Sequence, residues 1–163
     1  MIRKMQLNDA RQVADIHTRA WQVAYQGIID QEILDDIDAA QRETMWRDQL
    51  IPNESRTNLV YENNGMIQGW AAFGECEEEP ISQELIGIYV DPLMFRRGIG
   101  SKLWHETNRL MLLNRPENLV LWVLSDNAQA RRFYEKMGFV ADQRKRKIEW
   151  LGSATEVRYT KQA

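Results

Sequence analysis

The feature that most constrains the fold is a run of six consecutive apolar residues, Leu119 to Leu124. It lacks the alternation of a strand with one solvated face, and it is far shorter than the roughly 20 residues that span a bilayer. A short unbroken apolar run is typical of a strand covered on both faces and joined to a parallel neighbour by a helical crossover. The sequence therefore predicts a layered sheet with helices on both faces, and it predicts no membrane segment.

The other segments predict an α/β (α+β) fold whose mixed, twisted sheet is largely antiparallel. The turn Asn63-Asn64-Gly65 favours a hairpin between two of the strands, and Gly87 is placed where a bulge is expected. Pro52 is expected to end the third helix. Strands are predicted at 2–7, 57–62, 66–74, 84–90 and 118–124, with two more after 139; helices are predicted from about 8 to 27 and at 31–37, 40–50, 98–114 and 127–137.

Length and composition limit the function. The 163 residues, 44% of them apolar, predict one domain over 1–163. A net charge of −3 argues against a nucleic-acid binder, which needs excess Lys and Arg. The single cysteine, Cys76, has no partner for a disulfide, and no Cys/His cluster predicts a metal site. No apolar stretch follows the charged start of the chain, so we expect a cytoplasmic protein.

A candidate phosphate-binding turn lies between the strand ending near Val90 and the next helix. Gly98 and Gly100 let a helix N-terminus approach an anion closely, and two arginines precede them. The dinucleotide fingerprint is not satisfied, because position 103 is leucine instead of glycine. A plain strand-to-helix turn with solvated arginines is the alternative interpretation.

Two motifs in order carry a family resemblance. Residues 85–103, LIGIYVDPLMFRRGIGSKL, closely resemble the acetyl-CoA-binding motif of the GNAT N-acetyltransferase superfamily. Residues 127–139, NAQARRFYEKMGF, resemble that superfamily's downstream motif, in which an asparagine and a tyrosine flank one helix. One departure is Phe95, since the family usually has Gln or Arg three residues before the first glycine of the turn. The element order along nearly the whole chain also resembles that of the superfamily.

The resemblance implies a set of residues that bind acetyl-CoA as cosubstrate, with no metal. Backbone groups of a bulged strand would hold the pantetheine arm and the acetyl carbonyl, the turn would hold the diphosphate, and Asn127 would bond the pantetheine. Tyr134 would lie near the thioester sulfur and act as general acid to the leaving thiolate. The implied cofactor-binding residues are Ile88, Tyr89, Val90, Arg96, Arg97, Gly98, Ile99, Gly100, Ser101, Asn127 and Tyr134.

The acceptor amine must lose a proton before it can attack. Glu84 occupies the strand position where some members of the family carry a glutamate base, and a chain of water molecules is the alternative. His17, Trp21 and Tyr25 are candidate contacts for the acceptor, as are two aromatic residues of the third strand, Trp70 and Phe73. Core packing explains the same helical spacing, so both interpretations of these aromatic residues remain open at this point.

The resemblance predicts an acetyl-CoA-dependent N-acetyltransferase that transfers the acetyl group by direct attack of a primary amine on the thioester. The amine would belong to a small molecule or peptide. Two alternatives remain: a non-catalytic CoA-binding or regulatory module of the same fold, and a protein that binds another nucleotide. The final strands, with the basic run at 144–147, offer edges through which a homodimer is possible.

Overall fold

One mixed sheet organises the molecule, and the computed structural model describes it over residues 1–51 and 55–163. Within those residues seven strands stand in the order β1-β2-β3-β4-β5-β7-β6. Only β4 and β5 are parallel, and all other neighbours are antiparallel. The predicted sheet is thus confirmed. The strands are β1 (Ile2–Lys4), β2 (Arg56–Asn63), β3 (Met66–Glu75), β4 (Gln83–Val90), β5 (Asn118–Leu124), β6 (Val140–Ile148) and β7 (Ala154–Gln162).

Helices cover both faces of this sheet, as the apolar β5 predicts. On one face α1 and α3 pack on the first strands, where Trp46 is fully buried against Val60. On the other face α4 packs on β2, β3 and β4, and residues of α5 pack against the apolar cluster that contains Trp104 of α4 and Leu121 of β5. The helices are α1 (Ala10–Ala24), α2 (Gln31–Asp35), α3 (Ala39–Gln49), α4 (Ile99–Met111) and α5 (Ala128–Lys136).

The ends of the first two elements differ from the predicted ones. Strand β1 stops at Lys4, because a 3-10 turn at Leu7–Asp9 follows and the Asp9 carboxylate accepts a hydrogen bond from the Gln6 N–H at 2.7 Å. Helix α1 ends at Ala24, three residues before Gly27, because the chain tightens into a turn in which the Ile28 N–H bonds the Tyr25 carbonyl. Pro52, the predicted end of the third helix, lies outside the described residues.

Strand β4 carries an irregularity that matters for function. Ala72 of β3 faces Gly87, whereas the next residue, Phe73, faces Leu85, so Ile86 is the extra residue of a bulge. The bulged residue, Ile86, therefore lies one position before Gly87, where the sequence predicted the bulge. Gly87 has a separate reason to be small, since a Cβ there would come within 3.1 Å of the Tyr89 ring.

The two parallel strands separate soon after they meet. Pairing between β4 and β5 is confined to Gln83 with Leu119 and Glu84 with Val120. Beyond these pairs β4 stays with β3 and β5 stays with β7. We call the resulting gap, between 86–90 of β4 and 122–124 of β5, the fork.

Candidate active site

A cavity of about 620 Å³ passes through the fork. Its walls include both separated strand edges, 86–90 and 122–124. Because residues from both faces line one space, the cavity crosses the sheet. Its wall on the face of α4 and α5 comprises Met94, Phe95, Arg96, Gly98, Ile99, Gly100, Ser101, Asn127, Gln129, Ala130, Phe133 and Tyr134. Its wall on the face of α1 comprises Ala20, Trp21, Val23, Ala24, Tyr25, Arg146, Ile148, Trp150, Leu151 and Glu156.

The turn before α4 has the backbone shape of an anion-binding loop. Asp91, the residue after β4, is fixed by an ion pair with Arg19 at 2.6 Å, and its carboxylate accepts the Leu93 N–H at 3.1 Å. The chain then takes positive φ angles at Arg96 (63°) and Gly98 (74°). Alternation of left-handed and ordinary residues turns successive N–H groups toward one concave side.

The N-terminus of α4 is open to a ligand. Its N-cap, Gly98, offers no side-chain hydrogen bond, whereas Asp38 caps α3 and Asn127 caps α5 with side-chain oxygens. The first hydrogen bond along α4 runs from the Lys102 N–H to the Gly98 carbonyl at 3.0 Å. The preceding N–H groups thus have no acceptor inside the helix, and with the helix dipole they favour an anion.

Nearly all the residues that the sequence assigns to a cofactor meet at this cavity. The residue that does not line it is Arg97, next to Arg96, which does. Asn127 uses its carbonyl oxygen to cap α5, accepting the Ala130 N–H at 3.1 Å, so its amide nitrogen is the group that can donate to a ligand. The residues brought together are Ile88, Tyr89, Val90, Arg96, Gly98, Ile99, Gly100, Ser101, Asn127 and Tyr134.

Tyr134 lines the cavity from the middle of α5. Its ring is held between two neighbours, with ring centroids 5.5 Å from Phe133 and 6.2 Å from Phe139. Burial raises the pKa of its hydroxyl well above the usual 10. The phenol is therefore protonated at neutral pH, which is the form that can donate a proton.

Glu84 lies outside the cavity wall. It is paired with Val120 at the closed end of the fork, two residues before Ile86, where the wall begins. Burial raises the pKa of the Glu84 carboxyl, and nearby Arg146 opposes this rise. Sequence reasoning placed this carboxylate in the right strand, but the structure does not bring it to the cavity surface.

His17 lies behind the cavity instead of in it. It is 8% exposed and in contact with the rings of Trp70, at a centroid distance of 4.9 Å, and of Trp46. Burial, with the nearby cations Arg42 and Arg56, lowers the pKa of His17 to about 2. A neutral imidazole has one acceptor nitrogen, yet both nitrogens of His17 face donors: the Arg42 guanidinium lies 2.6 Å from Nε2, and the Trp46 Nε1–H lies 3.3 Å from Nδ1. The shorter contact, from the charged group, favours Nε2 as the acceptor.

The other aromatic candidates divide between the cavity and the core. Trp21 and Tyr25 line the cavity, and the Tyr25 hydroxyl lies 2.6 Å from that of Tyr89. Trp70 and Phe73 are 3% and 4% exposed and belong to the core clusters, so packing accounts for them.

Sequence reasoning missed the contribution of the last two strands. Trp122 of β5 lies under the Arg146 guanidinium, which is 4.2 Å from its ring centroid. Arg146 also donates to Glu156 at 2.7 Å. Trp150, in the 3-10 turn between β6 and β7, is stacked on Trp21 with ring centroids 5.9 Å apart. The basic run at 144–147 indicated an exposed strand or, as the alternative, contact with a phosphate or an acidic partner. Which acidic residue Arg146 meets becomes visible only when the strands are paired.

Two kinds of feature are absent from the described residues. In the ranges 1–51 and 55–163, no cluster of three or more His, Cys, Asp or Glu could hold a metal ion. Over the same ranges, no helix has both the length and the apolar character needed to cross a membrane.

Known proteins resemble this chain over nearly its whole length. A Mycobacterium tuberculosis protein named as a probable N-acetyltransferase is 29% identical over 140 residues, which are 83% of this chain and 77% of that one. The PaiA N-acetyltransferase of Thermoplasma acidophilum, solved with coenzyme A, superposes with a TM-score of 0.83 at 18% identity, covering 100% and 98% of the two chains. A Salmonella typhimurium protein solved with acetyl-CoA gives 0.72 at 20% identity, covering 99% and 92%.

The match to a family profile agrees with the geometry of the cavity. The profile of the acetyltransferase (GNAT) family matches residues 11–139, which include the open N-terminus of α4, the fork and α5. The chain therefore belongs to the GNAT acetyltransferase family and is an enzyme of the acyltransferase class.

Proposed function

We propose that this enzyme binds acetyl-CoA and transfers the acetyl group directly to a primary amine of a small molecule or peptide. The observation that carries the proposal is the open N-terminus of α4, which faces a cavity crossing the sheet at the fork. One wall can hold a phosphorylated thioester, and the opposite wall leaves room for an amine.

The residues of the first wall fit acetyl-CoA. The N–H groups of Ile99, Gly100 and Ser101 would receive the diphosphate, with Arg96 beside them. The β4 backbone facing the fork lacks pairing with β5 and can bond an extended arm as a neighbouring strand would. When bound, acetyl-CoA supplies a thioester whose carbonyl carbon accepts the amine.

Tyr134 is proposed as the general acid. A phenol is protonated at neutral pH even at its ordinary pKa near 10, and Tyr134 lines the cavity within the space that the thioester would occupy. As the amine nitrogen bonds the carbonyl carbon and the carbon–sulfur bond breaks, the electron pair stays on sulfur and Tyr134 donates a proton to it.

Glu84 is proposed as the base, acting through water. Strands rise by about 3.3 Å per residue, so Glu84, two positions before the start of the cavity wall at Ile86, lies roughly 7 Å from it along the strand. That separation is too long for direct proton transfer and is suited to a bridging water. Burial raises the pKa of the Glu84 carboxyl, which makes it a stronger base than an exposed glutamate.

Calorimetry followed by an activity assay tests the proposal. Acetyl-CoA and CoA are expected to bind and ATP to bind much more weakly, and thiol release over a panel of primary amines is expected to identify at least one acceptor. Binding of CoA without turnover of any amine would support a non-catalytic module. Tighter binding of ATP would support a protein for another nucleotide.

The remaining predictions concern the protein as a whole. We also propose that residues 1–163 act as a single domain, which is supported by one sheet that draws strands from both ends of the described chain. A cytoplasmic location stays a prediction from the sequence. A homodimer would use β6, which stands at the edge of that sheet and exposes most of its residues. Light scattering of the purified protein tests this state.

A further inference from the structure

We propose that the acceptor has a single amino group attached to an apolar moiety that contains a ring. Trp150 is then a specificity-determining residue that packs against this moiety. This inference rests on the proposed function and deepens it, because it concerns the acceptor side of the same cavity. Three observations support it: the chemistry of the wall, the setting of Trp150 and the pairing of the charges.

The wall on the α1 face is largely apolar and aromatic. Trp21 and Tyr25 enter from α1, and Ile148, Trp150 and Leu151 enter from the other side, where β6 turns into β7. Walls of this kind stabilise a ligand by removing its apolar surface from water and by ring contacts. A strongly hydrated acceptor would lose water there without new partners.

Trp150 has the setting of a recognition residue instead of a core residue. It is 67% exposed, yet its ring lies nearly parallel to that of Trp21, at an interplanar angle of 12°. Single exposed apolar residues are common on protein surfaces, but Trp150 also lines the cavity, so its exposed ring is available to a ligand there.

The charges on this wall favour a monoamine. Glu156 is the acidic residue of the wall, and it accepts a hydrogen bond from Arg146 at 2.7 Å. An acceptor carboxylate would compete with Glu156 for the Arg146 guanidinium, whose Nε already bonds Glu156, and a second ammonium group would compete with Arg146 for Glu156. Either competition weakens a formed charge pair. A single amine avoids both costs, and aromatic faces attract its protonated form at entry.

A panel of four amines tests the inference. 2-Phenylethylamine is the expected acceptor, phenylalanine adds a carboxylate to the same moiety, spermidine is a hydrophilic polyamine, and glycinamide lacks an apolar moiety. We expect kcat/KM for 2-phenylethylamine to exceed that of each other amine by about 10-fold or more, the range that apolar pockets provide for such differences.

Direct binding supplies a second readout that needs no turnover. Because Trp21, Trp122 and Trp150 line the cavity, 2-phenylethylamine is expected to quench tryptophan fluorescence with a measurable Kd. Trp150→Ala is expected to weaken that Kd by about 10-fold and to leave the Kd for CoA unchanged. Leu113→Ala is the matched control, since Leu113 is 66% exposed and lies outside the cavity wall. It is expected to change neither value.

The outcomes separate this inference from the proposed function. Acetylation of spermidine, phenylalanine or glycinamide in preference to 2-phenylethylamine would overturn the inference and leave the N-acetyltransferase function standing. An unchanged amine Kd in Trp150→Ala would remove Trp150 from the acceptor site. Absence of thiol release with every amine of a wider panel would instead count against the proposed function.

Discussion

Replacing Gly100 with aspartate should separate ligand binding from fold stability. A Cβ at Gly100 would meet the Phe133 ring at 3.6 Å and Val90 at 3.7 Å, which are ordinary contact distances. The position lies in the first turn of α4, where the helix dipole favours a carboxylate by about 0.3–1 kcal/mol. We therefore expect the unliganded variant to be folded and as stable as the parent, or slightly more stable.

The liganded state should respond in the opposite direction. The new carboxylate would face a diphosphate, and two unit charges 4 Å apart repel by about 4 kcal/mol at an effective dielectric constant of 20. That repulsion corresponds to an affinity loss of about 10³-fold. At a concentration of 100 times the parent's Kd, acetyl-CoA stabilises the parent by about 2.7 kcal/mol, or roughly 5–10 °C in Tm. The same concentration should stabilise the variant by less than about 0.1 kcal/mol.

Thermal unfolding with and without acetyl-CoA measures both effects. Gly100→Asn is the matched control, since it has the size of aspartate without its charge and should keep most of the ligand-induced shift. A folded Gly100→Asp variant with the parent's full shift would refute our placement of the diphosphate. Equal losses in both variants would assign the effect to size instead of charge.

Three further predictions concern proton transfer and stability. Tyr134→Phe should lower kcat by about 10²- to 10⁴-fold with the KM for acetyl-CoA nearly fixed, and full kcat in steady-state assays would return Tyr134 to a packing role. Glu84→Gln should slow transfer mainly below the pKa of the acceptor amine and recover at high pH; identical pH–rate profiles for variant and parent would favour a water chain alone. His17, whose pKa falls from 6.5 unfolded to about 2 folded, contributes stability that is present above pH 6.5 and lost as the pH falls toward 2. The free energy of unfolding should drop by roughly 2–3 kcal/mol between pH 6.5 and 4.5 through this group, and urea titrations of His17→Gln should show a shallower drop.

The cofactor side of the site could be predicted from sequence because its determinants are local. The turn before α4 is specified by consecutive residues, in which Gly98 supplies a positive φ angle and Gly100 a close approach. Asn127 and Tyr134 are likewise placed by one short helix, α5. Whatever is encoded within about 20 consecutive residues could be located before the fold was known.

The acceptor side could not be predicted in the same way, because its determinants are distant in the chain. Trp150 meets Trp21 only after β7 inserts between β5 and β6, and no local pattern signals that order. Whether an aromatic residue lies in the core or lines the cavity also depends on tertiary packing. Trp21 lines the cavity, whereas Trp70 lies in the core. For Glu84, the sequence predicted the strand on which it lies. Its separation from the cavity became visible only from the pairing of Gln83 and Glu84 with β5, which closes the fork at that point.

The short pairing between β4 and β5 also determines how the width of the cavity is set. Two paired rows, at Gln83 and Glu84, join a half-sheet of four strands to a half-sheet of three. The cavity begins where that seam ends, so its width at the fork depends on the angle at which the two halves meet. Substitutions deep in either half-sheet, far from every reacting atom, can therefore change the aperture by altering the twist of a few strands.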